Sequence, residues 1–155
     1  MSDTEFMRRA IALSLAMLEQ GSGPFGAVVV KNSEIISEGA NHVTATNDPT
    51  AHAEIIAIRE ASRALHCFDL RGCELFTSCE PCPMCLGAIY WARLDRVYFG
   101  GGAADASQAG FADSFIYAEI AKPPSSRFVP MHQLMRDQAL DAFRAWEHQP
   151  NKIAY

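Results

Sequence analysis

Past its opening segment, the chain alternates short apolar runs with helix-opening signals. Residues 27–30 (Ala-Val-Val-Val) predict a strand, and Lys31-Asn32-Ser33 turns it into a second strand over 34–37. Asp48-Pro49 then offers an N-cap followed by proline at a first helical position, predicting a helix over 48–65. Residues 74–77 predict a third strand, Glu80-Pro81-Cys82-Pro83 opens a helix running to 93, and 95–99 predicts a fourth strand. Before this stretch, residues 4–20 form an apolar-rich segment closed by Gly21, which predicts a helix. After it come a Gly/Ala-rich loop, a short helix over 115–120, a short strand at Phe128-Val129 and a long helix over 133–147. Strands alternating with helices imply an α/β fold of three layers, α/β/α. The sheet is expected to be five-stranded and mostly parallel, with an antiparallel hairpin at its start. Ligands in such sheets bind at the carboxyl ends of strands, often at helix N-termini.

Two short runs sit at those positions. Residues 52–54 read His-Ala-Glu, and after 26 intervening residues 81–85 read Pro-Cys-Pro-Met-Cys. Cys82 and Cys85 are three apart and share one face of a helix's first turn. The positive end of the helix favours their thiolate forms. His52 and Glu54 are two apart, about 200° around an ideal helix, so they converge only near a helix tip. Either half alone is ambiguous: a Cys-x-x-Cys pair serves redox or structural ends, and a histidine at a helix start serves as a cap. Together they form a set of three zinc ligands, His52, Cys82 and Cys85, with the fourth tetrahedral position left open, the mark of a catalytic rather than a structural Zn2+. Cys79 is the residue that could close the set, but Glu80 and Pro81 separate it from the helix and put it at a strand end. Cys67 and Cys73 read as ordinary buried or partly buried thiols.

Composition narrows the function classes. The 155 residues are 49 % hydrophobic and 20 % charged, enough to bury one core and too apolar for disorder. The net charge of −5 is the wrong sign for a protein that grips a phosphate backbone, so nucleic acid is not the expected main partner. No apolar run approaches transmembrane length, and the start Met1-Ser2-Asp3-Thr4-Glu5 lacks the basic residues of a signal peptide. Five cysteines, three of them within 79–85, make a poor disulfide framework and fit a reducing compartment, so the expected location is the cytoplasm.

The pattern H-x-E…P-C-x-x-C resembles the signature of zinc deaminases. More widely, Gly23-Pro24-Phe25-Gly26-Ala27, Asn41-His42-Val43, 48–54 and 78–85 resemble the cytidine deaminase-like zinc hydrolases. The segment Ala109-Gly110-Phe111-Ala112-Asp113-Ser114-Phe115-Ile116-Tyr117 and the ending at Tyr155 resemble the bacterial guanine deaminases within that family. The first three runs also resemble tRNA adenosine deaminases, which lack that later match. The resemblance implies one zinc deaminase domain over 1–155, acting on guanine to give xanthine and ammonia. It implies that Glu54 relays protons, that Phe25 and His52 sandwich a planar base, and that Asn41 and the Ala53 backbone hold its polar edges. The Cys82 N–H would support the tetrahedral intermediate. Asp113 would accept hydrogen bonds from guanine and serve as a second carboxylate, with Glu119 as the alternative. It further implies a homodimer in which residues 133–155 are exchanged, Tyr155 closing the partner's site. Read as residues alone, Asn41 also suits a turn, Asp113 a helix N-cap and Phe25 the core. A zinc-stabilised binding module without catalysis would need a closed ligand set or no glutamate. Adenosine in tRNA, guanosine, cytosine and amino-triazines remain as alternative substrates.

Overall fold

The computed structural model describes all 155 residues, which divide into two compact units, Met1–Asp113 and Ser114–Tyr155. The first unit opens with α1 (Asp3–Glu19). The Ser2 N–H and hydroxyl both donate to Glu5 Oε2, at 2.7 and 3.0 Å, and the Glu5 N–H donates back to the Ser2 carbonyl at 2.9 Å, closing the helix start. A hairpin follows, β1 (Gly26–Lys31) and β2 (Glu34–Ala40). Its two turn residues, Asn32 and Ser33, take φ of 50° and 62°, as the twist of a two-residue hairpin loop requires. Then come α2 (Val43–Thr46), α3 (Ala53–Ala64), β3 (Cys73–Cys79), α4 (Pro83–Ala92), β4 (Arg96–Gly101) and α5 (Ala103–Gln108).

The sheet has four strands in the order β2-β1-β3-β4. β1 runs antiparallel to both β2 and β3, and only β3 and β4 pair in parallel. The expected five-stranded, mostly parallel sheet is therefore corrected in two ways. The fifth strand, at Phe128-Val129, is not formed: the Phe128 N–H donates to a Glu119 carboxylate at 2.5 Å instead of to a strand partner. The β-α-β alternation does set direction correctly, since β2, β3 and β4 all run the same way. The hairpin, however, inserts β1 between β2 and β3, so two of the three ladders are antiparallel.

Alternation along β1 divides the core into two layers. Ala27 and Val29, with Leu75 of β3, pack against Ala53, Ala57, Ile58 and Ala61 of α3 and Ile89 of α4. Val28 and Val30, with Phe76, pack against Phe6 of α1. Each fully buried Val, Leu or Phe side chain contributes roughly 1.5–3 kcal/mol. Arg9 of α1 forks onto Glu38 of β2, Nε to Oε1 at 2.7 Å and Nη2 to Oε2 at 2.5 Å. The three-layer expectation is met.

One glycine fixes how closely α3 seats. A Cβ at Gly39 of β2 would stand 2.0 Å from the Ala53 carbonyl oxygen and 2.6 Å from the Ala57 nitrogen, both backbone atoms of α3. Gly39→Ala must therefore lift the start of α3 off the sheet. Overpacking of this kind costs about 1–3 kcal/mol. The expected result is a melting temperature lower by roughly 2 °C or more, together with weaker zinc retention. An unchanged melting temperature would show that α3 can shift at no cost.

The second unit holds α6 (Ser114–Ala121), a 3-10 turn at Pro124–Ser126 and α7 (Arg136–Glu147). Arg127 binds two α6 carbonyls, Nε to Glu119 at 3.1 Å and Nη2 to Ile120 at 3.3 Å. The Phe115 and Phe128 rings meet edge to face at 5.9 Å. Nothing in this unit is buried in the single chain: Leu134 is 83 % exposed and Tyr155 73 %. No helix of the protein is long and apolar enough to cross a membrane.

Candidate metal centre

Strand register gathers the site at one end of the sheet. Gly26 lies opposite Ala40, and Ala27 opposite Thr77. The start of β1 and the ends of β2 and β3 therefore share one end, and Phe25, Asn41 and Cys79 all belong to it. The Gly26 N–H donates to Ser78 Oγ at 3.1 Å, fastening that end.

The two ligand runs arrive there as helix caps. Cys82 is the N-cap of α4, extended at φ −67° and ψ 168°, and Pro83 takes the first helical position, where its missing N–H costs nothing. The second helix starts later than expected. Asp48 is not its cap: Asp48 Oδ1 accepts from the Thr50 N–H at 2.8 Å and the Thr50 hydroxyl at 2.7 Å, closing a local turn. The turn continues with the Ala51 N–H donating to the Asp48 carbonyl at 3.1 Å; His52 is extended, at φ −70° and ψ 153°, and α3 begins at Ala53. His52 is thus the N-cap itself and Glu54 lies in the first turn, which lets both point to one place.

Both thiols reach the same histidine nitrogen. Cys82 Sγ and Cys85 Sγ each lie 3.5 Å from His52 Nδ1. Zinc with Zn–S of about 2.3 Å and Zn–N of about 2.0–2.1 Å at tetrahedral angles separates sulfur from nitrogen by about 3.5 Å. The donor set, one imidazole and two sulfurs, and its spacing fit zinc. His52, Cys82 and Cys85 are the group of metal-capable side chains that converges. Cys79, at the last position of β3, is not part of it, so the ligand set stays open. Cys67 departs from expectation: it is exposed, in a turn where its Sγ accepts the Asp69 N–H at 3.4 Å. Cys73 is buried as expected.

The charges of the site interlock. The hydrogen bond from the Cys85 thiol brings the Cys82 pKa down to about 4, making Cys82 a thiolate. That same bond, with burial, holds the Cys85 proton on. The Cys82 contact pushes His52 up. Glu54 is only 5 % exposed, and burial pushes its carboxyl up. Its two oxygens are held separately: Thr77 Oγ1 donates to Oε1 at 3.4 Å, and Cys85 Sγ lies 3.5 Å from Oε2. Thr77, fully buried on β3, was not singled out from sequence, because a threonine inside a strand carries no local signal of what it faces.

The remaining expected residues sit as follows. Asn41 is buried, and its Oδ1 accepts the Val43 N–H at 3.2 Å, so it does form a turn; the side-chain NH2 is left as the donor it can offer. Its own N–H donates to the Phe25 carbonyl at 3.1 Å. Phe25 packs partly on the core and meets the Phe111 ring edge to face at 4.9 Å. Ala53 is fully buried at the first position of α3, where a backbone N–H has no partner within the helix. Asp113 closes the first unit, half-buried. Burial pushes the Cys79 thiol up, and the charges of Glu54 and Asp113 add to that effect, so both carboxylates act on this end of β3. Glu119 lies in the second unit, engaged by Lys122 Nζ at 2.5 Å and by the Phe128 N–H.

Residues 1–101 match the family described as the cytidine and deoxycytidylate deaminase zinc-binding region. The chain belongs to that family. Zinc dependence and deaminase chemistry come with membership. Among curated relatives, guanine deaminase of Bacillus subtilis (strain 168) is 51 % identical over 156 residues, covering 100 % of both chains. The tRNA-specific adenosine deaminase of Aquifex aeolicus (strain VF5) is 42 % identical over 110 residues, covering 71 % of this chain and 72 % of its own. The X-ray structure of guanine deaminase from Bacillus subtilis superposes with a TM-score of 0.97 at 51 % identity, covering 100 % of this chain and 99 % of that one.

Proposed function

We propose that the protein hydrolyses guanine to xanthine and ammonia. The observation that carries this reading is a similarity to a guanine deaminase that runs the full length of both chains, through the second unit, where the similarity to the Aquifex aeolicus tRNA deaminase covers 71 % of this chain.

His52, Cys82 and Cys85 would hold the zinc, which when bound lowers the pKa of a water toward 7 and so supplies a nucleophile at neutral pH. The chain's own groups do the rest. The Glu54 carboxylate takes one proton from the attacking water and delivers it to a ring nitrogen beside C2 of guanine. The water oxygen bonds to C2. Glu54 then carries the second proton to the exocyclic amine, the C2–N bond breaks, and ammonia leaves with xanthine behind. Thr77, donating to one carboxylate oxygen, keeps Glu54 aimed at this task. The Cys82 N–H, at the tip of α4, supports the negative oxygen that forms at C2. Phe25 and His52 clasp the flat base. The Asn41 NH2 and the Ala53 N–H donate to its acceptors, and Asp113 accepts from its N–H edge. Buried hydrogen-bonding groups of this kind reject bases that leave them unpaired. In a panel of guanine, guanosine, adenine, cytosine and an amino-triazine, guanine should release ammonia fastest, with adenine and cytosine poor substrates. Faster turnover of adenosine in a tRNA stem-loop would overturn the reading.

The protein acts as a cytoplasmic homodimer in which residues 133–155 are exchanged and Tyr155 closes the partner's site. The support is the exposed apolar surface of the second unit, including Phe128, Leu134, Phe143 and Ile153, which a single chain does not bury. A lid of this kind excludes water from a small base that offers few contacts. Deleting residues 151–155 should leave zinc and fold in place and sharply reduce guanine turnover. Mixing that chain with a Glu54→Gln chain should restore activity, because one site of the mixed dimer then has an intact Glu54 and an intact tail. No regained activity in proven mixed dimers would mean that the tail acts within its own chain.

A further inference from the structure

The segment after β4 is fastened at both ends. At its start, the Glu80 N–H donates to the Gly101 carbonyl at 2.8 Å and Glu80 Oε2 accepts the Ala103 N–H at 2.9 Å, so the residue two before Cys82 caps the turn that opens α5. At its end, Gly110 turns back with φ of +94°, and the Phe111 N–H donates to the Ala106 carbonyl at 2.9 Å. This short, doubly tied strap delivers one ring, Phe111, onto Phe25, with centroids 4.9 Å apart and planes at 86°. Phe111 belongs to neither buried core cluster and is 45 % exposed, so core packing alone does not set its position. An edge-to-face pair holds its rings at a set angle, because the positive edge of one meets the negative face of the other. Phe25 follows the irregular loop Gly23-Pro24 and packs partly on the core, so the Phe111 contact is a second support for its ring.

We propose that Phe111 is a positioning residue that fixes the plane of the Phe25 ring, and through it the slot that receives the flat base. The strap ties that ring, by way of Glu80, to the loop carrying Cys82, so the aromatic wall and the metal ligands keep a constant separation. This inference rests on the placement of Phe25 beside the base in the function proposed above.

The test compares the zinc-loaded native protein with Phe111→Leu, which keeps apolar bulk but has no ring edge, and Phe111→Tyr, which keeps the edge. NMR of ring-labelled phenylalanine should show the Phe25 signals displaced in the leucine variant and native-like in the tyrosine variant, with one zinc per chain throughout. The leucine variant should raise KM for guanine roughly three- to tenfold with kcat little changed, and the tyrosine variant should restore KM. Phe25 signals unmoved by Phe111→Leu would overturn the proposal whatever the substrate. So would an unchanged KM once the signals have moved. If the native protein leaves guanine untouched while Phe25 still responds, the guanine reading falls by itself. The KM change must then appear with the base that is turned over, and its absence there overturns the positioning role.

Discussion

A Glu54→Gln chain should keep its fold and its zinc but deaminate guanine at least roughly a hundredfold more slowly, the low end of what a positioned acid–base group contributes. Glutamine has the size of glutamate, and its amide oxygen can still accept from Thr77 Oγ1 at the 3.4 Å contact. It can no longer take a proton from water and return it to the base. The side chain is buried and is not a zinc ligand, so packing and metal content should change little. Metal analysis alongside steady-state rates checks both halves. Near-native turnover would move the relay to another carboxylate, with Asp113 and then Glu119 as the next to replace.

Cys85→Ala has the other large effect, and by a different route. Cys85 is fully buried and 3.5 Å from His52 Nδ1. Removing it leaves one sulfur and one nitrogen, too few to hold the ion. Losing a group that merely orients a metal ligand already costs about 10–100-fold in affinity, and losing the ligand itself should exceed that. The purified variant should carry little zinc and no measurable activity. Full zinc occupancy would show that the ion sits elsewhere, and full activity without metal would end the zinc account.

These residues were legible in the sequence because each half of the metal site is short. Cys82 and Cys85 share a single helical turn, and the prolines around Cys82 announce where it starts. His52 and Glu54 were legible as a pair but not in their setting. Asp48-Pro49 carries every local sign of a helix start, yet the Asp48 carboxylate spends its hydrogen bonds on Thr50, and the extended conformation of His52 makes it the cap. The sheet failed on a long-range point. The helices between strands fix that β2, β3 and β4 run together, but no local pattern shows that β1 slots between β2 and β3. Phe128-Val129 has strand-like residues over too short a run, and a carboxylate takes its N–H. Thr77 on Glu54, Gly39 under Ala53 and Phe111 on Phe25 are contacts between distant parts of the chain, and single residues give no sign of them.

Zinc reconstitution with guanine as substrate tests the central claim most directly. Protein stripped of metal should form no xanthine. Activity should rise in proportion to added zinc and level off at one equivalent per chain, each xanthine matched by one ammonia. Xanthine formed at the native rate by metal-free protein, or none formed at full zinc occupancy, would contradict the account.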